Sequence, residues 1–235
     1  MRYLIKFSKE SEIKFVAHLD LMRTIQRMMK RSGLPVMYSK GFNPHINLSL
    51  AQPLAVGVYS SGDYMDASFE EEVNEQTIKE ALNRYAPPGI KIYEVVKIKE
   101  EENKRVFRGM AEVDAAKYCI KIKCKDTNTV NNEVKELLKR KNWNITKKSK
   151  KTEKEVDIKP LVKNFDFHIT ENILVIDAVV SCGSSENLSA ELLARYIKDN
   201  TSGCDEEAFV DIQRKEMYAV LGGKLIPLYR YAKMR

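Results

Sequence analysis

The stretch Arg2-Tyr3-Leu4-Ile5-Lys6-Phe7-Ser8-Lys9 alternates, with Tyr3, Ile5 and Phe7 on one face and Leu4 and Lys6 on the other, the period of a β-strand. The period then changes. Residues 16–32 read as a helix, with Leu19, Met22, Gln26 and Met29 along one side and Gly33-Leu34-Pro35 supplying a C-cap and a breaker. Extended segments follow at 36–39, 46–50 and 64–69. A second helix over 74–85 starts at the capping residue Asn74 and stops at Pro87-Pro88-Gly89, and 90–98 alternates as a further strand. The order β-α-β-β-α-β is the split arrangement of a ferredoxin-like domain.

The pattern recurs without sequence self-similarity. A strand at 115–123 leads to a helix at 128–141 and an extended stretch at 143–147. Strands at 165–169 and 173–181 form a hairpin about Thr170-Glu171-Asn172, and a helix at 188–199 and a strand at 208–218 complete the unit. The tail from Gly222 to Arg235 is basic and aromatic and reads as an edge strand or a mobile end. The expected fold is α+β, with two tandem ferredoxin-like (βαββαβ) domains built on antiparallel sheets and covering 1–103 and 104–235. The charged connector Glu100 to Lys104 divides them.

Length permits either one large domain or two small ones with real cores. Hydrophobic residues make up 43% and charged residues 31%, as in soluble globular chains. No apolar run reaches the ~20 residues that span a bilayer, and Met1-Arg2-Tyr3-Leu4 opens no signal-peptide apolar region, so a cytoplasmic protein without membrane contact is expected. Cys119, Cys124, Cys182 and Cys204 are too sparse for a disulfide framework and match no CxxC spacing, which predicts buried thiols.

The net charge of +7 is unevenly placed. Residues 135–163 hold 11 basic against 4 acidic residues, and residues 1–50 hold 9 against 3, while 63–80 is acidic. A polarised surface of this kind favours an anionic partner such as nucleic acid. Lys147-Lys148-Ser149-Lys150-Lys151 fits that role and equally a solvated loop, and by composition the segment from Lys147 to Lys154 reads as mobile.

Within the first helix Arg23, Arg27, Lys30 and Arg31 are spaced four, three and one apart and form a basic stripe opposite the apolar side. Such a stripe neutralises phosphates, or is a solvated face on which Asp20 pairs with Arg23 or Thr24. The loop Tyr38-Ser39-Lys40-Gly41-Phe42-Asn43-Pro44-His45 joins chain-turning residues to a titratable ring. There Lys40, Asn43 and His45 would shape a recognition loop. His18 opens the helix, where the positive helix end suits a neutral base or an anion contact. His18 and His45 are the candidate acid and base of a metal-independent ribonuclease, and each has an equally simple structural reading. His168, between Phe165 and Phe167 in a strand, reads as structural. Phe42, Tyr59 and Tyr64 either stack on bases or pack in a core. Three histidines and four cysteines without clustering offer no metal ligand set, and no phosphate-binding loop, Ser-x-x-Lys or Gly-x-Ser-x-Gly pattern occurs. No cofactor is expected.

A set of residues in the first seventy is similar to a bacterial family. The set comprises Lys6-Phe7-Ser8-Lys9, Phe15-Val16-Ala17-His18-Leu19-Asp20-Leu21-Met22-Arg23, Gly33-Leu34-Pro35, Tyr38 to His45, and Ala51-Gln52-Pro53-Leu54-Ala55-Val56-Gly57, extended by Ser60, Tyr64 and Asp66. The family resembled is the domain of unknown function fused behind, or encoded beside, a radical SAM protein. Beyond residue 100 only Val156-Asp157-Ile158-Lys159-Pro160 resembles it. The resemblance implies a radical SAM partner, and RNA as substrate class by association. The cluster-binding cysteine triad of radical SAM chemistry is not in this sequence. A more distant similarity is to the repeat-processing endoribonucleases of CRISPR systems, which use tandem ferredoxin-like domains and a glycine-rich loop. Gly222-Gly223-Lys224 is a poor substitute for that loop.

Three readings follow. The first is an RNA-binding accessory protein acting with a radical SAM enzyme on ribosomal or transfer RNA, non-catalytic on its own. The second is a metal-independent endoribonuclease using His18 and His45. The third is a protein-interaction module without RNA affinity. Oligomeric state is not encoded in any pattern.

Overall fold

A computed structural model describes residues 1–99, 106–148 and 153–235. In chain order the elements are β1 (Arg2–Lys9), α1 (His18–Arg31), β2 (Leu48–Leu50), β3 (Val58–Ser68), α2 (Glu75–Tyr85), β4 (Ile92–Ile98) and α3 (Gly109–Glu112). They continue with β5 (Ala115–Lys123), α4 (Thr127–Lys139), β6 (Asn144–Lys148), β7 (Glu153–Asp157), β8 (Val162–Thr170), β9 (Ile173–Ser181) and α5 (Ala190–Asp199). The chain closes with β10 (Asp211–Leu221), β11 (Lys224–Pro227) and α6 (Leu228–Met234). The result is a mixed α+β protein with mostly antiparallel strand pairs. It divides into one unit of Met1–Asp114 with Arg214–Arg235 and a second of Ala115–Gln213.

In the first unit β1 lies between β4 and β3, antiparallel to both, and β2 pairs antiparallel with the last part of β3. β10 also neighbours β3, and β11 pairs back on β10 through the Gly222-Gly223 turn, where both glycines have positive φ. The register puts Tyr3 opposite Ala67 and Ile5 opposite Met65. These residues, with Phe7, form a core with Leu21, Ile25, Met28 and Met29 of α1 and Ile78 and Leu82 of α2. The helix phase therefore differs from the expected Leu19, Met22, Gln26 and Met29. Leu21, Ile25, Met28 and Met29 are spaced four, three and one apart and point inward, whereas Leu19 is 67% exposed. Two residues from Leu21 is about 200° around a helix, which turns Leu19 outward. Asn74 caps α2 as expected, accepting from the Gln76 and Thr77 N–H groups.

The other sheet face is also covered. Leu228, Tyr231 and Ala232 of α6 are buried, Phe107 lies 6.4 Å from the Tyr231 ring, and the Tyr231 hydroxyl donates to Glu112 at 3.1 Å. A charged cluster is buried around Asp63, which stands opposite Phe7. Asp63 Oδ1 accepts from Ser60 Oγ at 2.8 Å and from Arg214 Nε at 2.8 Å, while Arg214 Nη2 donates to the Gln52 carbonyl. Lys9 Nζ donates to the Lys14 and Val58 carbonyls, and burial pulls its pKa below the ordinary value against the attraction of Asp63.

In the second unit β9 pairs antiparallel with β5 on one side and β8 on the other, and β6 and β7 form a separate hairpin. The β8–β9 turn carries Glu171 at φ 51°. Val130, Val134 and Leu137 of α4 and Leu193, Ala194 and Ile197 of α5 are buried. Trp143 stacks on Tyr196 at 5.4 Å and its indole N–H donates to the Leu137 carbonyl. All four cysteines are buried.

Three further expectations concern the division of the chain, its tail and its lysine-rich segment. The predicted division near residue 103 lies outside the described residues, and the C-terminal strands and helix, read as part of the second domain, belong from Arg214 onward to the first unit. The reason is the pairing of β10 with β3 and the burial of α6 residues over β1 and β4, neither of which alternation within the tail can specify. The tail is a strand and a helix. In the lysine-rich segment, Lys147 and Lys148 end β6 and Glu153 and Lys154 begin β7; the remainder lies outside the described residues.

Candidate functional site

Arg23, Arg27, Lys30 and Arg31 all stand exposed on the outer side of α1, because Leu21, Ile25 and Met28 commit the opposite side to the core. Arg23 Nη1 donates to Asp20 Oδ1 at 3.0 Å, Thr24 Oγ1 to the Asp20 carbonyl at 2.8 Å, and Arg27 Nη2 to Thr24 Oγ1 at 3.3 Å. The Asp20 pairing foreseen for a solvated face is thus present, and at such exposure it holds Arg23 only weakly. Lys30 and Arg31 sit in the last turn, where cations complement the helix dipole.

The motif loop is closed by its own ends. Tyr38 and Ile46 form a β-bridge, Ser39 N–H donates to the His45 carbonyl at 2.8 Å, and His45 N–H donates to Ser39 Oγ at 3.1 Å. His45 Nδ1 lies 3.0 Å from the same hydroxyl. This ring of bonds holds Lys40, Gly41, Phe42, Asn43 and Pro44 outward, all exposed, with Phe42 fully so. Gly41, at φ 144°, provides the backbone shape that other residues rarely adopt. His45 presents its ring at the surface, whereas His18 is half-buried at the start of α1 with Nδ1 meeting no hydrogen-bond partner among the described residues. No hydrogen bond joins the two imidazoles there. Of the three aromatics considered for stacking, Tyr64 is buried, its hydroxyl bonded to Glu216 at 2.5 Å and its pKa pushed up by burial and by the Glu216 charge. His168 is exposed on β8. Among the described residues no group of His, Cys, Asp and Glu could hold a metal ion, and no helix is long and apolar enough to cross a membrane.

A second constellation escaped the sequence reading. Arg2, Asn47, Ser49, Asp66, Ser68 and Arg108 line a cavity of about 320 Å³ in the first unit. The register explains the gathering: Arg2 stands opposite Ser68, and Ser49 and Leu4 opposite Asp66, so these side chains share the sheet face turned away from α1 and α2. Asp66 Oδ2 accepts the Gly109 N–H at 2.9 Å, and Oδ1 is buried with no hydrogen-bond partner among the described residues. Burial pushes the carboxyl up to about 6, against the opposing pull of the Gly109 N–H and the Arg2 and Arg108 guanidiniums. A Cβ on Gly109 would stand 3.2 Å from Asp66 Oδ2 and 3.2 Å from Leu4 Cδ1, so the close approach of this backbone to the carboxylate suits glycine. The available signal was the even spacing of Asn47 and Ser49 and of Asp66 and Ser68, which puts each polar pair on one parity.

Among curated proteins nothing matches the chain. Similar solved structures include a chain of the Cbf5-Nop10-Gar1 complex (9% identity, TM-score 0.47) and an unknown protein from Galdieria sulphuraria (12% identity, TM-score 0.26). The first alignment covers 92% of this chain, which spans about half (48%) of the length of that one; the second covers 91% and 97%. At these TM-scores neither likeness carries an argument about fold or function. A family model matches residues 2–190, and the chain accordingly belongs to the family described as "Uncharacterized protein conserved in bacteria (DUF2344)".

Proposed function

We propose that this chain is an RNA-binding accessory protein that acts with a radical SAM enzyme in the modification or processing of ribosomal or transfer RNA in the cytoplasm. The observation that carries the RNA part is the outer side of α1, where four cations stand exposed together, followed in the chain by a loop that presents Lys40, Asn43 and His45 around a fully exposed Phe42. Exposed cations meet phosphates, and an unpacked aromatic ring offers a stacking platform for a base. The radical SAM partner rests on the resemblance of residues 6–66 alone. Each unit is read as ferredoxin-like: in the first, the neighbours β4-β1-β3-β2 and the element order support it, and in the second, β5, β8 and β9 with α4 and α5 support it.

The test is binding of single-stranded RNA to the full chain at two salt concentrations with EDTA present, for the wild type and for Arg23→Ala/Arg27→Ala. Loss of two phosphate contacts lowers affinity and reduces the salt slope by about 1.4. Identical affinity and slope in the double variant overturn the assignment. RNA cleavage under EDTA that disappears in His45→Ala would assign an endoribonuclease instead, and partner binding without RNA affinity a protein-interaction module.

A further inference from the structure

The cavity on the sheet face away from α1 is walled by donors that the fold leaves unused. Strand pairing sets two rows side by side. In one, Arg2 stands opposite Ser68, whose N–H donates to the Asn47 carbonyl; in the other, Leu4 and Ser49 flank Asp66. Among the described residues the side chains of Asn47, Ser49, Ser68 and Arg108 make no hydrogen bond to the protein, although Ser68 is only 8% exposed. Arg2 Nη1 donates to the Phe107 carbonyl at 2.9 Å, which fixes one corner of the guanidinium and leaves its other N–H groups uncommitted. The one carboxylate of the wall is turned to the protein: Asp66 Oδ2 holds the Gly109 N–H, and Oδ1 is closed to solvent.

Such a wall takes an acceptor-rich anion. Two guanidiniums face one carboxylate across it, so positive charge is in excess and cations are repelled. A neutral ligand would leave the excess without a counter-charge. A carboxylate ligand presents two oxygens in one plane, which a single guanidinium fork already serves. A phosphoryl group presents three splayed oxygens and can meet a fork from each arginine together with the hydroxyls between them. The volume of about 320 Å³ falls in the range of small-ligand pockets and leaves room for the group that carries the phosphorus. We infer that this cavity binds a phosphoryl group, held by Arg2 and Arg108 with Asn47, Ser49 and Ser68 completing the donor set. The same chemistry is offered by a free phosphate ester and by a phosphate of a nucleic-acid backbone. The inference does not depend on the α1 surface, which lies on the other side of the sheet.

The test is calorimetric titration of the full chain with inorganic phosphate, with acetate as the planar comparison and ionic strength held constant with chloride. A parallel arm uses a single-stranded RNA oligonucleotide without a terminal phosphate. Arg108 and Ser49 are exposed, so Arg108→Ala and Ser49→Ala leave the core and the far-UV circular dichroism spectrum unchanged. Arg108→Ala weakens binding about tenfold, the loss of one charge-assisted contact, and Ser49→Ala weakens it about threefold. Arg23→Ala/Arg27→Ala leaves phosphate binding as in the wild type, which separates this cavity from the α1 surface whatever that variant does to RNA. A loss in Arg108→Ala confined to the phosphate arm identifies a free phosphate ester, and a loss in the oligonucleotide arm identifies a backbone phosphate. Wild-type affinity for both probes in Arg108→Ala and Ser49→Ala overturns the inference. So does acetate bound as tightly as phosphate, or phosphate binding that disappears in Arg23→Ala/Arg27→Ala.

Discussion

Asp66 concentrates the residue-scale chemistry of this molecule. Its folded pKa of about 6 lies above the ordinary 3.8 because burial penalises the charged form more than Arg2, Arg108 and the Gly109 N–H favour it. A carboxyl raised in this way stabilises the fold below the unfolded pKa, and the contribution is lost as pH rises through the folded value. Denaturant titrations from about pH 4 to about pH 7 should show a loss on the order of 3 kcal/mol from this group, and Asp66→Asn should flatten that part of the profile. An unaltered pH profile in the variant would refute the shift. In the sequence this Asp stands out only as a member of the resembling set, and its burial follows from strand register and the approach of Gly109.

At the scale of elements, the phase of α1 makes a sharp test. Ile25→Ala, in the core, should cost about 2–5 kcal/mol, whereas Leu19→Ala should stay within about 0.5 kcal/mol, measured by urea unfolding. The reverse ranking would restore the phase read from Leu19 and Met22. Gly62 of β3 reports on another contact. A Cβ there would lie 2.3 Å from the Lys215 carbonyl oxygen and 2.8 Å from Glu216 Cα, both backbone. Gly62→Ala should therefore destabilise by about 1–3 kcal/mol through overpacking against β10, read as a lowered urea midpoint. Element existence was legible here and phase was not. Strand β5 at 115–123 and strand β9 at 173–181 match the alternation, and Asn74 announces α2. The helix before Gly33 holds Leu19, Leu21, Met22, Ile25, Met28 and Met29, which is enough apolar residues to draw more than one stripe.

At the scale of the whole molecule, the C-terminal segment completes the first unit through Arg214. Its guanidinium lies 2.7 Å from Asp63 with both side chains almost fully buried, and it also holds the Gln52 carbonyl of the motif segment. Removing one partner leaves an uncompensated buried charge, so Asp63→Ala should cost about 3–5 kcal/mol. Paired replacement of Asp63 and Arg214 by apolar residues should cost less than the two single changes summed, measured as a double-mutant cycle. Additivity of the two would show that the pair is not coupled.

The sequence by itself determined the antiparallel α+β class, strands such as β5 and β9, the cap of α2, the burial of the cysteines and the basic stripe of α1. Each is a consequence of short-range periodicity, capping or turn chemistry, which act within a few residues. Only the tertiary structure decided that Arg214–Arg235 joins the first unit, that Lys9, Asp63 and Arg214 share a buried cluster, and that Arg2, Asn47, Ser49, Asp66, Ser68 and Arg108 surround one cavity. Those groupings unite residues up to about two hundred positions apart through strand register, and register is a property of pairing between segments that no single segment contains.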